Sequence, residues 1–271
     1  AYSIAITATG AVVGAAGMVR DWGPPIAIML RPDGRVDSRF NQTGYKIVTF
    51  PDRKRVGAMH SIIPSDSSAF IMAGHSHRGN GLASPTFVKL DHLGNLDPTF
   101  GNMGISMLAE TSDNYAAVNC KLDHLGRLLC VLSPYYINSS ALVVNRLLPN
   151  GADDSTFGQG GRVSVDFGRT YTFGMALALQ NDGKIVAVAC DFGRDIENLH
   201  INIGTARFTA EGTPDPSFGA QGLAVTARDG MILQPNVVRI QPDGKILIGG
   251  QAAIDDPSNE YGSQLLVRML P

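Results

Sequence analysis

Short apolar runs recur along the chain, and Gly, Asp and Asn cut them at regular intervals. The clearest stretch runs from Met175 to Ala189, two apolar segments around Asn181-Asp182-Gly183. It predicts a β-hairpin, because a tight turn between twisted strands needs a positive φ that glycine supplies at no steric cost. The same hairpin is predicted from Val237 to Gly249 around Asp243-Gly244, from Val118 to Leu132 around His124 to Gly126, and from Ser3 to Ala15 around Thr9-Gly10. A degenerate copy spans Met59 to Ala73, with Ser65-Asp66-Ser67 at its turn. These are strands A and B of a repeat.

A third strand, C, is predicted after each hairpin at 26–30, 86–90, 142–147, 204–208 and 264–269. Lys89, Arg146, Arg207 and Arg268 hold one register in it, and Met29 holds that register in the first copy. A fixed signature follows strand C in four copies: Gly34-Asp37-Phe40-Gly44, Gly94-Asp97-Phe100-Gly104, Gly151-Asp154-Phe157-Gly161 and Gly212-Asp215-Phe218-Gly222. It leads into a fourth strand, D, at 45–50, 105–109, 162–167 and 223–227. The first glycines lie 60, 57 and 61 residues apart. Four antiparallel strands at that period predict an all-β fold, a β-propeller of five blades with about 60 residues per blade. The expected domain is single, 1–271, with blades near 1–55, 56–114, 115–172, 173–232 and 233–271. Leu270-Pro271 stands where the other copies continue with Asp-Gly, so the last blade is expected to lack its outer strand. An open edge of that kind invites self-association or completion by further chain.

The hairpin Leu179-Gln180-Asn181-Asp182-Gly183-Lys184-Ile185, its copy Ile240-Gln241-Pro242-Asp243-Gly244-Lys245-Ile246, and Asp215-Pro216-Ser217-Phe218-Gly219 resemble the delta-60 repeat family of bacterial β-propeller proteins. The resemblance covers almost the whole chain. It departs most in the first two blades, where Asn41 replaces the Gly after Phe40 and Ser67 stands in a turn that should hold Gly. The resemblance implies a bacterial, often exported propeller, hence a secreted or cell-surface location; it implies no established activity and no catalytic residues.

Composition narrows the partners. Hydrophobic residues make up 44% and charged residues 17% of the 271 positions, enough apolar content for a packed core. The net charge of −2 supplies no basic stripe, so nucleic acid is excluded as a partner class. No apolar run reaches the length of a membrane span. The chain begins at Ala1, which suits a processed secreted product or a trimmed fragment. Cys120, Cys130 and Cys190 are too few for a disulfide scaffold. Cys120 and Cys130 flank one hairpin; they read first as buried apolar filler, with a bridge as the alternative.

Residues repeated in every blade are best explained by geometry: the Asp receives bonds from its turn, the Phe fills space between blades, and the last Gly permits entry into strand D. Lys-Leu-Asp-His-Leu-Gly occurs both at 89–94 and at 121–126, so His92 and His124 read as turn residues. What is not repeated falls in the B–C and D–A loops, expected on one face of the disc, where binding residues concentrate. Trp22, His75, His77, Tyr135, Tyr136, Asp191, His200 and Tyr261 are the candidate ligand-binding residues there, with Arg239 on a strand A. Aromatic rings beside hydrogen-bonding groups suit a glycan, a peptide or a protein surface. His75 and His77 with His200 or an Asp, and Asp255, Asp256 and Glu260, lack the spacing of a dedicated metal site, so no metal and no cofactor is expected. Propeller glycosidases carry acids on their innermost strands. The A strands here hold His60, Asn119, Lys121 and Arg239 but no Asp or Glu. A non-enzymatic recognition module is therefore the leading expectation, with a hydrolase or lyase and a structural segment of a larger exported protein behind it.

Overall fold

A computed structural model of the chain describes residues 3–7, 12–16, 24–50, 56–65, 69–77, 83–109, 115–134, 140–193, 201–254 and 262–270. These residues are all-β apart from one turn of 3-10 helix at Phe40–Gln42. The first sheet comprises β1 (Ser3–Ile6), β2 (Val12–Ala16), β3 (Ile26–Leu30) and β4 (Tyr45–Ile47). The second comprises β5 (Val56–Pro64), β6 (Ala69–His77), β7 (Ala83–Asp91) and β8 (Ile105–Met107). The third comprises β9 (Tyr115–Leu122), β10 (Leu128–Pro134), β11 (Ala141–Leu147) and β12 (Arg162–Asp166). The fourth comprises β13 (Tyr171–Leu179), β14 (Ile185–Phe192), β15 (Ile201–Phe208) and β16 (Leu223–Thr226). The fifth has three strands among the described residues: β17 (Met231–Ile240), β18 (Ile246–Ile254) and β19 (Ser263–Met269). Within each sheet the strands follow chain order, as short turns between consecutive antiparallel strands require.

Two compact units are present, Ala1–Leu128 with Leu147–Asp153, and Leu129–Arg146 with Asp154–Pro271. In the first, Met29, Phe40, Val48, Phe50, Met59, Phe70, Met72, Val88 and Leu90 form a buried core. In the second, Val186, Val188, Ile203, Phe218, Leu233, Val238, Ile246 and Ile248 do so. The strand periodicity puts these residues on inward faces, where apolar burial drives the packing.

The signature locks strand C to the turn that follows it. Asp215 N–H donates to Arg207 O at 2.8 Å, Phe218 N–H to Asp215 O at 3.0 Å, Gly222 N–H to Phe218 O at 2.8 Å, and Arg207 N–H returns to Gly222 O at 2.8 Å. The side chains repeat the closure. Arg207 Nε lies 2.8 Å from Asp215 Oδ2 and its guanidinium sits 4.8 Å over the Phe218 ring. Arg146 does the same with Asp154 at 2.8 Å and Phe157 at 4.5 Å, and Lys89 reaches Asp97 at 2.9 Å. Where Met29 removes the cation, Arg39 takes over, its Nη2 lying 2.7 Å from Asp37 Oδ2. In three copies the C-strand cation is thus the partner of the signature Asp. In the last copy, Arg268 turns instead to Gln241 and Asp243, at 2.8 and 3.1 Å.

The first signature glycine has a second duty that the turn argument did not supply. At Gly212 φ is +87°, and an added Cβ would stand 2.8 Å from the Phe157 ring of the preceding repeat. Gly151 meets Phe100 in the same way at 3.0 Å. One repeat's glycine is the seat for the previous repeat's phenylalanine. Asn41 keeps the left-handed conformation of the glycines it replaces, φ +50° beside +55° at Gly101, and its Nδ2 donates to Tyr45 O at 2.9 Å.

Two expectations are corrected. Cys120 and Cys130 are disulfide-bonded, leaving Cys190 as the free, buried thiol. Adjacent antiparallel strands bring β9 and β10 close enough for the bridge, which the reading as apolar filler had put second. Strands A and B also run further than expected. A bulge lies between Met59 and Ser61, between Gly174 and Ala176, and between Pro235 and Val237, and pairing continues beyond it. His75, His77 and Asp191 therefore lie on strands β6 and β14, not in loops.

Candidate functional site

The bulges give a common ruler for the repeats. Met59 pairs with Gly74, Gly174 with Ala189 and Pro235 with Gly250, so two residues further along strand B stand Ser76, Asp191 and Ala252. Sister repeats fill this buried position with small residues; the fourth sheet puts a carboxylate there. Asp191 is 0% exposed. Its cross-strand neighbours are Thr172 on β13 and Asn202 on β15, so three polar side chains form one row across the sheet.

Thr172 Oγ1 donates to Ser140 O at 2.8 Å, so its proton is already committed. Arg169 Nε approaches Asp191 Oδ2 at 3.2 Å without hydrogen-bond alignment. Both carboxyl oxygens of Asp191 and the Nδ2 of Asn202 consequently lack a hydrogen-bond partner among the described residues. Buried groups in that state are costly and rare. Burial pushes the Asp191 carboxyl up to about 6, with Arg169 drawing it down, Asp166 adding to the rise and the Thr172 hydroxyl beside it lowering it a little. A carboxyl held near neutrality by its surroundings marks a functional position more often than a structural one.

The turn from β12 into β13 covers this row. Asp166 caps it, accepting from Gly168 N–H at 2.7 Å and from Ser140 Oγ at 3.0 Å. Phe167 lies over Gly204 so closely that an added Cβ would stand 2.7 Å from its ring. Gly204 is the residue two beyond Asn202 on β15, so the ring covers the same side of the sheet as the polar row. Phe167, Gly168, Arg169, Thr170 and Gly193 line an open depression of about 630 Å³ beside Asp191. An aromatic surface, a half-exposed guanidinium and two unmatched buried polar groups thus meet at one end of the fourth sheet.

A second unrepeated cluster lies in the other unit. His60 occupies the bulge on β5, and its Nε2 is 3.0 Å from His75 Nδ1, one nitrogen donating and the other accepting. A bulge re-aims the extra side chain, and here it aims the ring at strand β6. The His60 and His75 rings stack at 5.2 Å and 19°, and His75 and His77 at 6.1 Å and 15°. His75 and His77 are buried. Burial, then the neighbouring His60 and His77, lowers His75 to about 3. His75 is therefore neutral at physiological pH. Among the described residues no three His, Cys, Asp or Glu side chains are placed to hold a metal ion.

Of the other predicted residues, Arg239 is exposed on β17, its Nη1 donating to Val238 O at 3.0 Å. Trp22, Tyr135, Tyr136, His200 and Tyr261 lie outside the described residues. Sequence reasoning missed Phe167, Arg169, Thr172 and Asn202. One signal was available: Gly204 inside an apolar C strand, where the matched positions hold Thr86 and Leu265, marks a close approach by another group.

A family described as a domain of unknown function (DUF5122) beta-propeller matches residues 241–260. The repeat is of the β-propeller kind. No curated protein matches the sequence. Among solved structures, the chain resembles an ulvan lyase of a polysaccharide lyase family at TM-score 0.52 and 10% identity, over 91% of this chain and 60% of that one. It therefore spans about 60% of that lyase's length. It also aligns with an α-L-arabinofuranosidase of Fusarium graminearum at TM-score 0.43 and 10% identity, over 98% and 91% of the two chains. A Drosophila semaphorin aligns at 0.42 and 9%, over 98% and 65%. At 10% identity the likeness to the lyase is one of fold alone. No helix among the described residues is long and apolar enough to cross a membrane.

Proposed function

We propose that the chain is a five-bladed delta-60 propeller that acts as a non-enzymatic recognition module. The observation that carries this reading is the open depression lined by Phe167, Gly168, Arg169, Thr170 and Gly193, with the buried Asp191 ion-paired to Arg169. A glycan, a peptide or a protein surface entering it meets an aromatic ring and a half-exposed guanidinium. Trp22, His75, His77, Tyr135, Tyr136, His200, Tyr261 and Arg239 remain candidate ligand-binding residues of the chain on sequence grounds. The disulfide suits an oxidising compartment, in keeping with a secreted or cell-surface bacterial protein. Glycan and peptide arrays probed with the purified chain test the reading; binding that Asp191→Asn or Arg169→Ala weakens is the expected outcome.

A hydrolase or lyase is the second reading, favoured by one observation. Burial holds the Asp191 carboxyl up to about 6, which suits a proton donor. Against it, none of the A strands carries an Asp or Glu. Turnover on a polysaccharide panel, abolished in Asp191→Asn, would put this reading first. Strand β19 has no further partner beyond β18 among the described residues, which favours self-association at that edge. Light scattering across a concentration series reads it: a monomer at every concentration removes it.

A further inference from the structure

One cross-strand row can be followed from sheet to sheet, and in the first sheet it lies bare. One position before the C-strand cation stand Val88, Asn145, Ala206 and Val267, and Ile28 in the first copy. In the second sheet Val88 belongs to the row Ile62, Met72, Val88 and Ile105, all buried in the core shared with Ala27 and Met29 of the first sheet. In the fifth sheet the row Val238, Ile248 and Val267 packs in the same way with Ala176, Val186 and Phe218 of the fourth. The row thus faces the preceding sheet, and the Ile62 N–H, donating to Ser3 Oγ of β1 at 3.2 Å, points the same way. The first sheet carries the matching row Ile4, Gly14, Ile28 and Tyr45, with no sheet before it among the described residues. Ile4 is 70% exposed, Ile28 40% and Tyr45 46%, and Ile6, two residues beyond Ile4 on the same face, is 70% exposed.

The last sheet is bare on its opposite face. Two positions before the cation register, Ala27, Phe87, Val144 and Thr205 are all buried, whereas the matching Leu266 is 71% exposed. Leu266 ends the row Val237, Gly249 and Leu266, and no sheet follows it among the described residues. The two bare faces are therefore the two sides of the contact that joins consecutive sheets elsewhere. Contiguous exposed apolar side chains of this kind mark an interaction surface. We infer that copies of this chain associate head to tail, the last sheet of one copy covering the row of Ile4, Ile28 and Tyr45 on the next. Such a contact is heterologous, because each copy presents a different patch. It stacks sheet faces, so it is independent of strand pairing at the β19 edge and of the recognition reading.

Sedimentation velocity on the whole chain over a concentration series, with Ile28→Lys, Leu266→Lys and an equimolar mixture of the two, reads the contact. The expected wild-type result is a mass that rises with concentration. Each variant alone has its dissociation constant raised about tenfold or more, because the contact then buries a charge without a partner. Both positions are exposed, so unchanged circular dichroism and melting verify that the variants fold, and Ile4→Lys repeats the first-sheet test at a second exposed position. Mixing restores one contact, the intact last sheet of Ile28→Lys against the intact first sheet of Leu266→Lys, and yields heterodimers and nothing larger. Variants that are monomeric alone and form no heterodimer on mixing overturn the pairing of the two faces. Association lost in Ile28→Lys and kept in Leu266→Lys means that two first sheets meet, which also overturns it. Association kept in Ile28→Lys overturns the role of the first sheet while leaving the edge reading at β19 standing. A wild-type chain that is monomeric at every concentration removes both.

Discussion

Two buried titratable residues, Asp191 and His75, pull stability in opposite directions as pH changes. Asp191 is raised from 3.8 to about 6, so between those values the folded chain holds a proton that the unfolded chain has released. Its contribution is complete below 3.8 and is lost as pH rises through about 6. Asp191→Asn should therefore stabilise the protein at pH 8 by about 2–3 kcal/mol, read as a raised urea midpoint with unchanged slope. His75 is lowered from 6.5 to about 3 by burial and by its two stacked neighbours, so its contribution is complete above 6.5 and falls as acid is added down to about 3. The expected fall is about 1.4 kcal/mol per pH unit inside that window. In the wild type the two slopes oppose each other between pH 3.8 and 6. Urea titrations of Asp191→Asn and His75→Asn across pH 4–8 should separate them, the first losing stability with acid and the second losing it with base. Neither shift was legible in the sequence, since both follow from which atoms a folded sheet removes from water.

At the scale of the element, the hairpins, the C strands and the signature were legible because each rests on local chemistry. Gly183 and Gly244 close tight turns at φ +86° and +80°. The cation register of strand C was visible as a pattern, but its partner was not; only the returned turn sets Arg207 against Asp215 and Phe218. Arg207→Met should cost about 1.5–3 kcal/mol in chemical denaturation, because it removes the buried partner of Asp215, which keeps Lys184 at 3.3 Å and the two Ser217 hydrogen bonds. Met29 is tolerated at the matching position because Arg39 serves Asp37 instead. Gly212→Ala should cost about 2–4 kcal/mol, combining a positive φ with an overpacked contact on Phe157. An unchanged melting temperature in that variant would refute the seat assigned to the ring. The bulges were missed. One extra residue in an apolar run leaves alternation almost intact in the sequence, yet it extends pairing far enough to turn His75, His77 and Asp191 from loop residues into strand residues.

For the whole molecule, a disulfide between Cys120 and Cys130 closes a short loop, and chain entropy assigns it about 2–3 kcal/mol. Reduction by dithiothreitol, or Cys120→Ser with Cys130→Ser, should lower the melting temperature; Cys190→Ala should keep the response to reductant and the double variant should lose it. The sequence by itself determined the number of repeats, the order of strands in each sheet and the all-β class, because a period near sixty residues and the turn chemistry at fixed offsets are properties of neighbours along the chain. Tertiary structure alone decided which polar residues are left unmatched. Asp191 and Asn202 come from two strands of one sheet and Arg169 and Phe167 from the turn that leads into it, and their meeting depends on a register set by a bulge and on a glycine that lets a ring approach. Satisfaction of a buried hydrogen bond is a property of distance in space, and periodicity carries no record of it.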